Sequence, residues 1–107
     1  MPSNETPTSK PSISKTQSSF YRRIYVAYLI NNGTASVPDI IAATGMPRRT
    51  AQDTVNALGE LDILCEFERK AGARHNTGGY VIRDWGPIDA NWVNTHHRYL
   101  KQALGYS

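Results

Sequence analysis

An α+β fold, mostly helical, is predicted for this chain: three helices, a β-hairpin and one further helix. Three observations carry that prediction. Apolar residues recur at helical spacing over 20–29, 37–43 and 51–58. Two short strand-like runs, ILCEFER and YVIRDW, flank the Gly-rich polar stretch KAGARHNTGG. A wide apolar stripe led by Trp92 closes the chain. The 107 residues suffice for one small domain with a modest core.

Residues 1–15, MPSNETPTSKPSISK, contain a single Ile and cannot bury enough apolar surface to offset the entropy of ordering. They read as a flexible tail, leaving 16–107 as the domain. SSFYRRIYVAYLINNG then places Phe20, Ile24, Ala27 and Tyr28 on one helical face, widened by Tyr21, Tyr25 and Leu29. Ser18 or Ser19 is the expected cap of helix one, and Asn32-Gly33 its stop. Helix two is expected over roughly 37–44. There Ser36 and Asp39 resemble a capping box, Pro38 suits a first turn, Ile40, Ile41 and Ala43 are apolar, and Gly45 ends the run.

Pro47 restarts the chain, because its fixed φ suits a helix start, and helix three is expected over about 47–61. ILCEFER alternates, with Ile63, Cys65 and Phe67 on one side, as in a half-buried strand. YVIRDW pairs with it across the loop. Gly78-Gly79 reads as a turn, with no following helix start to make it a phosphate cradle. Gly86-Pro87 breaks the second strand, and Asp89 caps a fourth helix. Its stripe holds Trp92, Val93, His96, Tyr99, Leu100, Ala103 and Leu104, with Asn94, Arg98 and Lys101 opposite. Three helices followed by a hairpin is the element order of a winged helix-turn-helix, here with an additional C-terminal helix.

The helix-three wheel sharpens this reading. With Arg49 at zero and about 100° per residue, Ala51, Thr54, Val55, Leu58 and Asp62 fall between roughly 140° and 240°. Arg49, Gln52, Asp53 and Asn56 fall within about 60° of zero. One side packs, and the other projects groups that match base edges. Arg pairs with guanine, and Gln or Asn pairs with adenine. Arg49, Gln52 and Asn56 are therefore the candidate base readers. Arg48 and Thr50, off this face and in the first turn, suit phosphates, as do the basic residues around the hairpin loop, Arg69, Lys70 and Arg74, with His75 beside them. Asp53 either accepts from cytosine or orients Arg49 as an i,i+4 partner, and the second role fits better.

The bulk numbers permit this function without demanding it. Lys and Arg total 12 against 9 acidic residues, a net charge of +3. Lone Cys65 excludes an intrachain disulfide and fits a reducing cytoplasm. No stretch is apolar and long enough to span a membrane, and the N-terminus lacks the apolar segment of a secretory signal. The histidines and Cys65 lack metal-ligand spacing. No serine has a His/Asp framework, and no carboxylate pair is set up for acid/base work, so neither an enzyme nor a cofactor is expected. His96 reads as a hydrogen-bonded core or interface histidine. The broad stripe of Trp92, Val93, His96, Tyr99, Leu100 and Leu104 predicts a two-fold homodimer packed through helices one and four.

SFYRRIYVAYLI, VPDIIAATGMPRRTAQDTV, CEFER and GYVIRDWGPI resemble a family of small bacterial winged helix-turn-helix proteins, most of them uncharacterised, and the similarity covers about residues 18–106. TGMPRRTAQDT and RDWGPI are the distinctive strings. The resemblance implies the fold and a transcription-regulator role on double-stranded DNA, and no effector or enzyme activity. One position departs from the general helix-turn-helix pattern. Ile41 stands where alanine is preferred, four residues before the turn glycine, which implies a longer turn or a looser crossing of helices two and three. An alternative reading stays open: a protein-interaction or dimerisation module, given the mild charge and Asp53 and Glu60 on the presumed DNA side.

Overall fold

The computed structural model describes residues 13–69 and 78–106. Helices α1 (Lys15–Asn31), α2 (Val37–Thr44) and α3 (Arg48–Asn56) precede a 3₁₀ turn over Ala57–Leu61. Strands β1 (Leu64–Arg69) and β2 (Gly78–Asp84) form an antiparallel hairpin, and α4 (Ala90–Thr95) and α5 (His97–Leu104) close the chain. This is the α+β winged-helix architecture.

The start of α1 differs from the expected one. Ser14 is the cap: its hydroxyl accepts from the Gln17 N–H at 3.1 Å, and its own N–H donates to Gln17 Oε1 at 3.0 Å. That reciprocal box satisfies two orphan donors and fixes the start at Lys15. Ser18 and Ser19 therefore lie inside the helix, where Ser19 accepts from the Arg23 guanidinium. The flexible-tail reading falls, for residues 1–12, outside the described residues.

Ser36 caps α2 by accepting from Asp39 N–H at 3.2 Å, and Gly45 ends it in the left-handed region at φ 78°. Val37 and Ile40 bury the inner face, Ile41 is half-buried, and Ala43 is exposed rather than buried. The turn occupies residues 45–47, an ordinary length for this motif, so Ile41 does not lengthen it. Thr44 Oγ1 braces the turn, donating to Ile40 O at 2.8 Å and accepting from Met46 N–H at 3.2 Å.

α3 is shorter than its sequence pattern. The α-helix ends at Asn56 and tightens into the 3₁₀ turn, which closes at Asp62 with φ 61°. The tightening brings both Leu58 and Ile63 into the core and turns Asp62 out to solvent. Asp62 therefore does not join the packed face that an uninterrupted wheel gives it.

The core has two halves with α1 between them. Ala27 and Ile30 pack with Ile40, Ala51, Leu58 and Ile63 on one side, while Ile24, Tyr25 and Leu29 meet Val93 and Leu100 on the other. Trp85, Ile88 and Tyr106 touch both halves. The hairpin is tied to the α1–α2 loop by the Tyr80 N–H, which donates to Ala35 O at 2.8 Å. A Cβ on Gly79 would meet the Ala35 methyl at 3.0 Å, so glycine permits that approach. Gly78 and Gly79 thus belong to β2 rather than to a turn. Phe67, expected inside, is 48% exposed.

The single C-terminal helix of the sequence reading is two helices. Thr95 Oγ1 donates to Asn91 O at 3.0 Å, and His96 Nδ1 lies 2.8 Å from Trp92 O. These side-chain bonds add to the backbone bond from His96 N–H to Trp92 O at 3.0 Å, and the α-helical run stops at His96, with φ −108° and ψ 12°. Asp89 caps α4 as expected, accepting from Asn91 N–H at 2.9 Å.

Candidate nucleic-acid interface

α3 is seated by Ala51, Thr54 and Val55, all buried. Thr54 is the polar member of this set, and its hydroxyl is satisfied by donating to Thr50 O at 2.7 Å. The opposite side carries Arg49, Asp53 and Asn56, all exposed, with Arg48 exposed off this face and Thr50 and Gln52 half-buried at its margins. The helix thus presents two arginines and two amides within its nine residues, beginning directly after the turn.

Gln52 is not free-standing. Its Nε2 donates to Asn56 Oδ1 at 3.1 Å and to the Tyr80 hydroxyl on β2 at 3.5 Å. Asp53 does not pair with Arg49: among the described residues the ion pairs are those of Arg83, with Glu66 at 3.2 Å and Glu68 at 2.7 Å. Asp53 instead lines a groove of about 240 Å³ between α1 and α3, with Arg22, Arg23, Thr50 and Thr54. The physical reason is position on the wheel. Asp53 and Gln52 lie on opposite flanks of Arg49, Gln52 on the side of β2 and Asp53 on the side of the α1 groove.

The hairpin divides by strand alternation. Glu66 and Glu68 share the outer face with Arg83, forming the ion-paired ladder. Cys65, Phe67 and Arg69 take the other face. Cys65 packs on the core there, and Phe67 meets Tyr80 edge-to-face, with centroids 5.3 Å apart at 76°. Burial first, and Glu66 second, raise the Cys65 thiol pKa, which favours the protonated thiol. Arg69 is exposed at the end of β1. Lys70, Arg74 and His75 lie outside the described residues.

The proposed dimer residues separate into two groups. Val93 and Leu100 are wholly buried within this chain's own core, so neither can face a partner. Trp92 and Tyr99 are exposed, together with Phe20, while His96 and Leu104 are half-buried. Trp92 stacks on His96 at 4.1 Å, and Tyr99 meets Tyr21 edge-on at 5.8 Å. A groove of about 260 Å³ runs among Phe20, Ile24, Ile88 and Trp92.

Sequence reasoning missed Tyr80, Arg22 and Arg23. Tyr80 meets Gln52 from 28 positions away, beyond any periodicity signal. The two arginines lie on a helix whose aromatic stripe drew attention to its other faces. Among the described residues no group of three His, Cys, Asp or Glu side chains is placed to hold a metal, and no helix is long and apolar enough to cross a membrane.

Fold and exposed face together define a winged helix-turn-helix domain. The chain belongs to the winged helix-turn helix family, whose match covers residues 15–104. It is similar to a DUF2131 family protein from Shewanella amazonensis SB2B, whose crystal structure gives a TM-score of 0.82 at 39% identity. That likeness covers 89% of this chain and 91% of the other. No curated protein matches the chain. Membership of this family points to nucleic-acid binding.

Proposed function

We propose that the protein binds double-stranded DNA at specific sites and acts as a bacterial transcription regulator in the cytoplasm. The observation that carries this reading is the exposed face of α3: Arg48, Arg49 and Asn56 stand clear of the core, just after a helix-turn-helix turn. Arg49 and Asn56 read base edges in the major groove, with Gln52 beside them. Arg48, Thr50 and Arg69 contact phosphates, joined by Lys70 and Arg74 at the hairpin. Asp53, unpaired with Arg49, discriminates through its carboxylate rather than by aiming that arginine.

A second copy completes the proposal. Phe20, Trp92 and Tyr99 form an exposed aromatic surface on α1, α4 and α5, and a two-fold dimer through it presents two α3 helices to successive grooves. The same surface is what favours the rival reading, a protein-interaction module. Binding to a random duplex across a salt series separates the two: a DNA binder loses affinity steeply as salt rises, and an interaction module shows no binding to lose.

A further inference from the structure

Tyr80 lies on β2, outside the helix-turn-helix, yet its hydroxyl reaches the polar face of α3. We propose that Tyr80 is a positioning residue for base reading: it fixes Gln52, so that the hairpin strand helps set which base the helix prefers. This inference rests on the DNA-binding reading.

Several observations converge on it. Gln52 Nε2 is engaged on both sides, by Asn56 Oδ1 at 3.1 Å and the Tyr80 hydroxyl at 3.5 Å. An amide tied at two points cannot turn both of its ends toward one base. Gln52 therefore does not make the bidentate adenine pair that its type suggests, and offers a single bond in a fixed direction. Tyr80 is itself held. Its N–H donates to Ala35 O at 2.8 Å, and its ring is braced edge-to-face by Phe67. A fixed hydroxyl on a rigid strand costs less ordering entropy to use than a free surface glutamine. Phe67, 48% exposed, leaves an apolar ring beside that of Tyr80.

The test compares the parent, Tyr80→Phe and Gln52→Ala. Phenylalanine keeps the ring, its contact with Phe67 and the backbone bond to Ala35, and removes only the hydroxyl. Each protein is titrated against the parent's selected duplex with every base substituted in turn, and against random duplex across a salt series. Tyr80→Phe and Gln52→Ala are expected to lose discrimination at the same base position, Tyr80→Phe by about three- to tenfold. For Tyr80→Phe, affinity for random duplex, its salt slope and the thermal midpoint are expected to stay at parental values. Undiminished discrimination in Tyr80→Phe, loss at a different position, or equal weakening on all sequences overturns the proposal while leaving DNA binding standing. Failure of the parent itself to bind random duplex at low salt removes the DNA reading, and this inference with it.

Discussion

Two exposed regions of this molecule are built in opposite ways. The face of α3 is polar, and its amides are held by hydrogen bonds: Gln52 donates to Asn56 and to Tyr80 of the hairpin. The surface of α1, α4 and α5 is aromatic, and its side chains are held by ring contacts: Trp92 on His96, Tyr99 on Tyr21, His97 on Tyr28. Directional bonds select a partner by donor and acceptor pattern, while ring stacking rewards contact area with little regard to pattern. Under the proposed function, discrimination falls to the first surface and self-association to the second.

The comparison can be broken at several strengths. The largest effect lies beneath the aromatic surface. Leu100→Ala should destabilise the fold by about 2–5 kcal/mol, because Leu100 is wholly buried, and a denaturant titration measures it. An unchanged midpoint would return Leu100 to the surface. Next, Arg49→Ala should cost about 1–3 kcal/mol on the selected duplex without moving the unfolding midpoint, by parallel binding and melting curves. Ser14→Ala should lower stability by about 0.5–2 kcal/mol through loss of the α1 cap, with base discrimination untouched. On the aromatic side, Trp92→Glu should shift the mass in light scattering from dimer to monomer while low-salt DNA binding persists. A parent that is monomeric at high concentration ends the dimer proposal.

A last and smaller test uses pH. Burial raises the phenol pKa of Tyr25 and of Tyr106. A raised folded-state value means that the neutral form is favoured by folding. The stability this contributes is complete below the ordinary phenol pKa and is lost as pH climbs through the raised values. Alkaline unfolding followed by tyrosinate absorbance should show those two phenols ionising with the unfolding transition.

Much of the fold was legible because its signals are local. Ser36, Gly45, Pro47 and Asp89 marked turns and caps that the structure uses, and Ala51, Thr54 and Val55 marked the buried face of α3 from spacing alone. What was not legible depends on competition or distance. Ser14 outcompeted Ser18 and Ser19 because Gln17 could answer it. The 3₁₀ tightening after Asn56 broke the wheel that had carried Asp62 inward. The interruption at His96 falls where side chains bond back to carbonyls. At the candidate site, composition and spacing pointed to Arg49, Gln52 and Asn56 as candidates, while the Tyr80 contact and the groove that Asp53 shares with Arg22 and Arg23 exist only once the chain is folded.

The most direct test of the central claim is selection of bound fragments from a random DNA pool, at stated salt, by the parent and by Arg49→Ala side by side. The account predicts one enriched site for the parent and loss of preference at a single base within it for the variant. Absence of any enriched site, or an identical preference in both proteins, would contradict the assignment of α3 as the element that reads DNA.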